Sequence, residues 1–420
     1  MPLLNKTEAR SSAADPLSDA AATAVRAPRT WSAARLALTA FFAIDGFLFA
    51  AWVVRIPDVR AQVHASHSAL GLALLCISAG AVATMALVGR LCVRYGSRKV
   101  TVGSLALLSL AVPLPAHTHS VAALGAVLLL FGAGYGAANV SMNSAAVDLV
   151  ARLRRPVMPS FHAGYSLGGL LGAAVGGLLA GTFSAAWALA LGGVLGLAVT
   201  AAAGAVLLRD PDGDAPAPAV TAAEAARGAG APAAAPRHAR LLVVLLGLTA
   251  LFTAYGEGAL ADWATLHLTD DVHASAGTAA AGYAAFAFAM TAGRVSGTWL
   301  SIRLGATRVM LLGGLTAATG MTVAALAPSV TVVLGGFVLV GIGLANIFPL
   351  AIGRAGATGG PRGVATASAL GYAGMLIGPP VIGFLADAVG LPLALTSVAA
   401  AAALAGVLAL VVGRRPHRAA

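Results

Sequence analysis

Asp45 is the only ionisable residue between Arg35 and Arg55, in a run of otherwise mostly apolar side chains. Placing a carboxylate at the centre of a bilayer costs about 2.5–3.5 kcal/mol, so an acid there calls for a cavity, a partner or a function. The chemistry open to it is uptake and release of a proton; the plainer reading is a structural acid that is permanently paired or protonated. Glu257 and Asp262 stand in a second apolar run, within GEGALADW, where Gly256 and Gly258 predict a loosened helix. Glu257 is a candidate for solute binding and proton exchange. Asp262, five residues on and off its helical face, is expected to reach external water beside Trp263.

Tyr135, Asn139 and Asn143 recur at i, i+4 and i+8 and form one polar stripe. Their phenol and amides can hydrogen-bond a polar solute or serve as helix-to-helix glue worth about 0.6 kcal/mol per bond. Asn346, with Pro349, suggests a kink whose freed carbonyl lies beside a cavity, or a packing feature. His162 reads as an interfacial or capping residue before a proton relay, Arg294 as a snorkelling side chain before a counter-ion, and Asp148 as a rim ion-pair partner. Glycines one turn apart, such as Gly132/Gly136, Gly168/Gly172 and Gly172/Gly176, allow close helix approach.

These residues need elements that hold them inside a membrane. Of the 420 residues, 59% are hydrophobic and 10% charged, against roughly 45–50% and 25% in an ordinary soluble domain. A soluble enzyme is excluded. About 20 residues cross 30 Å of hydrocarbon, which gives twelve spans near 33–54, 69–88, 100–116, 121–146, 163–183, 185–207, 241–262, 275–300, 309–327, 330–352, 364–386 and 390–412. The third is short, interrupted by Pro113 and Pro115. Cys76 and Cys92 lie 16 residues apart, about 24 Å along a helix, and cannot pair. The net charge of +11 is scattered between apolar runs, so no nucleic-acid partner is expected.

Lys and Arg remain on the cytoplasmic side of short loops. With both termini cytoplasmic, only Arg55 and Arg60 fall on the opposite side and Arg294 within a span; the reverse orientation would translocate nearly every positive charge. The expected organisation is a disordered tail (1–32), a six-helix bundle (33–208), a cytoplasmic linker (209–240) rich in Ala, Pro and Gly, a second six-helix bundle (241–413) and a short tail (414–420). Arg94, Gly96 and Lys99 after span 2 match Arg303, Gly305 and Arg308 after span 8 at a constant offset, as a parallel repeat would produce.

The segment GRLCVRYGSRK, with Gly89, Arg90, Arg94, Gly96, Arg98 and Lys99, resembles the gating signature between spans 2 and 3 of the major facilitator superfamily, although Val93 occupies the acidic position. AWVVRIPD from Ala51, NVSMN from Asn139, SFHAGYSLGGLLGA from Ser160, GEGALADW from Gly256, NIFP from Asn346 and GMLIGPP from Gly374 resemble the branch containing the fucose permease. There an acid takes the place of Asn139. The resemblance implies the two-bundle, twelve-helix fold in the cytoplasmic membrane. The expected function is movement of a small polar solute by a monomer through alternating access, with protons as partner and Tyr135, Asn139, Asn143, Glu257 and Asn346 as candidate solute contacts; the resemblance does not identify the substrate.

Asp45 and Glu257 are the proton-coupling candidates. No Walker sequence and no H-E-x-x-H occur, so neither ATP hydrolysis, a cofactor, a metal nor enzyme activity is expected. Multidrug or metabolite efflux is the alternative, weakened by an aromatic content of 6%; a receptor or intramembrane enzyme is further off.

Overall fold

A computed structural model describes residues 32–153, 157–209 and 237–413. The expected tails and linker lie outside the described residues apart from their margins, of which 237–240 are already helical. The described chain is helical throughout. The first half comprises α1 (Ala33–Val53), the short α2 (Ile56–Val63), α3 (His67–Tyr95), α4 (Ser97–Ala111), α5 (Val121–Leu153), α6 (Met158–Ala180) and α7 (Ala185–Leu208). The second comprises α8 (Arg237–Asp270), α9 (Ala276–Leu304), α10 (Ala306–Leu326), α11 (Val330–Leu344), α12 (Ile347–Val389) and α13 (Leu391–Gly413).

Serines begin several of these helices: Ser32, Ser66, Ser184 and Ser275 each accept a hydrogen bond from the backbone N–H three residues on, which satisfies one otherwise orphaned donor. Pro113 and Pro115 interrupt the third span, but it is not short: it runs from Ser97 to His117. α4 stops at Ala111 and a 3-10 turn, Leu114–His117, follows.

α12 is too long for one crossing, and it folds back on itself. A side chain at Gly363 would strike the carbonyl of Ala355, yet eight residues of straight helix would separate them by about 12 Å. Gly371 correspondingly packs on the Phe348 ring. The segment therefore completes the tenth span, reverses between Ala355 and Gly363 and forms the eleventh. Eleven spans among the described residues are long and apolar enough to cross a membrane. The twelfth, α9, has the length but carries Arg294 and Arg303 among small residues.

Each half pairs its spans in the same way. In the first, α1 packs on α6, α3 on α5 and α4 on α7; in the second, α8 packs on α12, α9 on α11 and α10 on α13. The glycine rows make the first of these contacts possible. Gly168 and Gly172 meet the backbone of Ala43 and Phe47, and Gly132 and Gly136 that of Ile77 and Ala81, with no room for a side chain. The repeat seen in the sequence has a conformational cause: Gly96 (φ +87°) and Gly305 (φ +79°) make the same turn between consecutive spans, a region that side-chain-bearing residues rarely enter. Leu178, Trp187, Val194 and Ile302 stand 64–79% exposed, an outward apolar surface fit for lipid.

Candidate functional site

The two bundles meet along α3 against α12 and α6 against α9. Their inter-bundle hydrogen bonds, among the described residues, gather at the end opposite the termini. His67 and Ser68, opening α3, donate backbone N–H bonds to the two oxygens of Asp387 at 2.9 and 3.0 Å. Arg60 pairs with Asp270, and Thr265 Oγ1 donates to the carbonyl of Val53 at 3.4 Å. Arg55 and Arg60, the two arginines that charge bias set apart, both lie here; Arg55 is buried and bonded to Asp58 at 2.9 Å. At the other end Gly89, Gly96, Gly305 and Gly353 face open space.

Between the bundles lies a cavity of about 360 Å³. Its first wall is formed by Gly46 and Phe49 of α1, Ser78 of α3, Tyr135 and Asn139 of α5, and Tyr165 of α6. The opposite wall carries Glu257 and Asp262 of α8, Tyr283 and Arg294 of α9, and Tyr372 of α12. Arg294 Nη2 lies 3.2 Å from Glu257 Oε2 and 3.4 Å from Oε1, so one nitrogen bridges both oxygens. The Tyr135 and Tyr165 hydroxyls are bonded at 2.8 Å, and Phe49 stacks on Tyr135 at 5.1 Å between centroids.

Several expectations change. α8 is continuous through Gly256 and Gly258; Gly256 instead lets Leu344 approach closely. Asp262 does not reach away from the bundle, because the cavity wraps around α8 far enough to include it with Glu257. Arg294 does not simply snorkel but lines the cavity in a pair with Glu257. Of the polar stripe, Tyr135 and Asn139 line the cavity and Asn143 does not; it donates to the Asn139 carbonyl at 2.8 Å. Steps of four residues drift about 40° each on a helix of 3.6 residues per turn, which carries the third member off the face.

Asn346 does sit at a helix break, between α11 and α12, but it too lies off the cavity, buried and donating to the Gly293 carbonyl at 2.8 Å. Asp148 accepts from Ser97 Oγ at 2.9 Å, and His162 meets Phe42 edge-on. The loop signature stands apart from the cavity. Arg94 covers the Tyr95 ring, Arg98 donates to the Leu207 carbonyl at 3.3 Å, and Val93 is 89% exposed.

Asp45 is wholly buried, and neither carboxylate oxygen has a hydrogen-bond partner. It does not line the cavity; its neighbour Gly46 does, pressed against the Tyr165 backbone. The chief omission of sequence reasoning is aromatic. Four of the chain's six tyrosines, Tyr135, Tyr165, Tyr283 and Tyr372, converge here. Tyr135 is among the expected contacts; a low overall aromatic content concealed the other three, of which only Tyr165 stands in a segment singled out from the sequence, SFHAGYSLGG.

Two pseudo-equivalent helical bundles around a central polar and aromatic cavity define a membrane transporter of the two-lobed kind. The family model for the Major Facilitator Superfamily matches residues 36–266 and 245–420. The chain belongs to that superfamily. It is 34% identical over 366 residues to an uncharacterised transporter of this type from Yersinia pestis, covering 86% of this chain and 90% of the relative. It is 31% identical to the membrane protein MosC of Rhizobium meliloti over 86% of this chain and 85% of that one.

Among solved structures, an inward-facing, occupied bacterial homologue of the human lysosomal transporter Spinster superposes with a TM-score of 0.72 at 17% identity, covering 91% of this chain and 98% of the other. The nucleoside transporter NupG gives a TM-score of 0.69 at 14% identity, with 91% of this chain and 100% of the other covered. At these identities the likeness is one of fold.

Proposed function

We propose that this transporter carries a small polar solute across the cytoplasmic membrane by alternating access coupled to protons, with both termini on the cytoplasmic side. The observation that carries the reading is the cavity itself, between two lobes whose hydrogen bonds to one another, among the described residues, gather at one end. With the termini cytoplasmic, that bonded end is the outer one and the solute exchanges with the cytoplasm. Rocking the lobes would break the Asp387 and Arg60 contacts and expose the same cavity to the outside.

Tyr135, Asn139 and the Glu257–Arg294 pair supply hydrogen-bond partners, and the tyrosine rings supply flat apolar faces. That combination suits a sugar-like solute with a ring and several polar groups, in keeping with the likeness to the fucose permease branch. Asp45 is the proton-coupling residue of this proposal, with the cavity-lining Glu257 as its partner. Burying Asp45 as an unpaired anion costs several kcal/mol, which ties movement of its proton to any motion that opens or seals its pocket.

One observation favours a second reading. The concentration of aromatic side chains also suits efflux of a larger amphiphile. Counterflow in proteoliposomes separates the two: a panel of sugars, sugar acids and amphiphilic drugs, first found by thermal shift, is tested with and without an imposed proton gradient. The proposal expects exchange of a small polar compound that accumulates against its gradient when protons flow inward. Exchange confined to amphiphiles, or flux indifferent to the gradient, would overturn it.

A further inference from the structure

The charges around the cavity are unevenly placed. The wall built by α1, α3, α5 and α6 offers hydroxyls, an amide and rings but no charged side chain among the described lining residues. Glu257, Asp262 and Arg294 all stand on the α8–α9 wall. Arg294 is engaged with Glu257, one nitrogen against both oxygens. Asp262 makes no ion pair and no side-chain hydrogen bond with any described residue. It faces the cavity beside Tyr283, near enough for the two to interact electrostatically.

An ionised carboxylate so placed, between membrane-embedded helices and without a partner, is a costly arrangement that a cation would relieve. The Tyr283, Phe286 and Tyr372 rings line the same wall, and aromatic faces attract an organic cation through their quadrupole. With both acids ionised, two carboxylates and one guanidinium leave one negative charge to be met, and the opposite wall, which carries no charged side chain among the described lining residues, can accept the uncharged remainder of the solute.

We infer that the transported solute carries a positively charged centre, an amine or quaternary ammonium, held by Asp262 against the aromatic rings of α9 and α12. The inference rests on the cavity being the solute site of a transporter, as proposed above. It narrows the solute to a polar molecule with a cationic end and assigns Asp262 as the residue that selects for charge. Arg294 then keeps Glu257 from competing for the cation.

The test is binding to the purified full-length protein in detergent, by isothermal titration with three probes that share a ring: benzyltrimethylammonium, benzyl alcohol and benzoate. The expected result is a Kd for the cation at least about tenfold below that for the alcohol, with benzoate weakest. Asp262→Asn should remove that preference and Asp262→Glu should retain it, which separates loss of charge from loss of fold. Equal binding of the three, preference for benzoate, no binding of any, or a preference that survives Asp262→Asn would overturn the inference.

Because binding is read without transport, failure of the two ideas is distinguishable. A cation-selective protein whose flux ignores an imposed proton gradient would remove the proton-coupling proposal and leave this one. Gradient-driven movement of an uncharged solute, with no preference for cations, would do the reverse.

Discussion

Asp387 offers the most direct handle on the closed end of the cavity. Its carboxylate accepts the first two backbone N–H groups of α3 from across the lobe interface, at 2.9 and 3.0 Å, and so serves α3 as a cap supplied by the other bundle. α3 keeps its own cap as well, Ser66 accepting from Ala69 N–H at 3.2 Å, so removal of Asp387 should loosen the lobes without unwinding the helix. Loss of a capping side chain costs about 0.5–2 kcal/mol, and an anion at a helix N-terminus contributes about 0.3–1 kcal/mol.

Asp387 is one-third exposed, and water would replace part of the interaction after opening, so a net loss of about 1–2 kcal/mol is expected. That corresponds to a roughly 5- to 30-fold change in the ratio of the two conformers. Spin labels at His119→Cys and Ser329→Cys, exposed positions at this end on opposite lobes, in a chain lacking Cys76 and Cys92, would report it as a distance distribution. Asp387→Ala should enrich the long distance by that factor. Asp387→Asn, which keeps an acceptor but not the charge, should do so less. An unchanged distribution in Asp387→Ala would refute the idea that this contact holds the end shut.

Two further outcomes follow from the same geometry. Gly96→Ala and Gly305→Ala place a side chain in open space but at φ +87° and +79°, so each should cost about 1–3 kcal/mol of backbone strain. This would appear as a lowered melting temperature in detergent, and equal stability in both variants would contradict the reading of these turns. Asn346→Ala removes a buried bond to Gly293 and should cost about 0.6 kcal/mol with the solute Kd unchanged. A large loss of binding at unaltered stability would return Asn346 to the site.

Sequence reasoning reached the architecture because hydropathy and loop charge are summed along the chain and need no knowledge of tertiary contacts. The same holds for Asp45 and Glu257, each conspicuous as an acid within an apolar run, although a linear reading could not say that Asp45 is sealed while Glu257 faces the cavity. What escaped depends on which helix faces meet. Tyr165, Tyr283 and Tyr372 sit on three different helices and form a group only after the bundles assemble. Arg294 looked like a snorkelling residue because its partner, Glu257, is 37 positions away. The Asp387 cap on α3 joins residues 320 apart. The reversal inside α12, by contrast, is implied by the separate spans expected at 330–352 and 364–386.

The central claim, that protons drive transport through Asp45, is met most directly by comparing accumulation with exchange in proteoliposomes containing Asp45→Asn. The account predicts that the variant still exchanges solute down its gradient, since Asp45 does not line the cavity, but no longer accumulates it when a proton gradient is imposed. Accumulation by Asp45→Asn equal to that of the unaltered protein would contradict it.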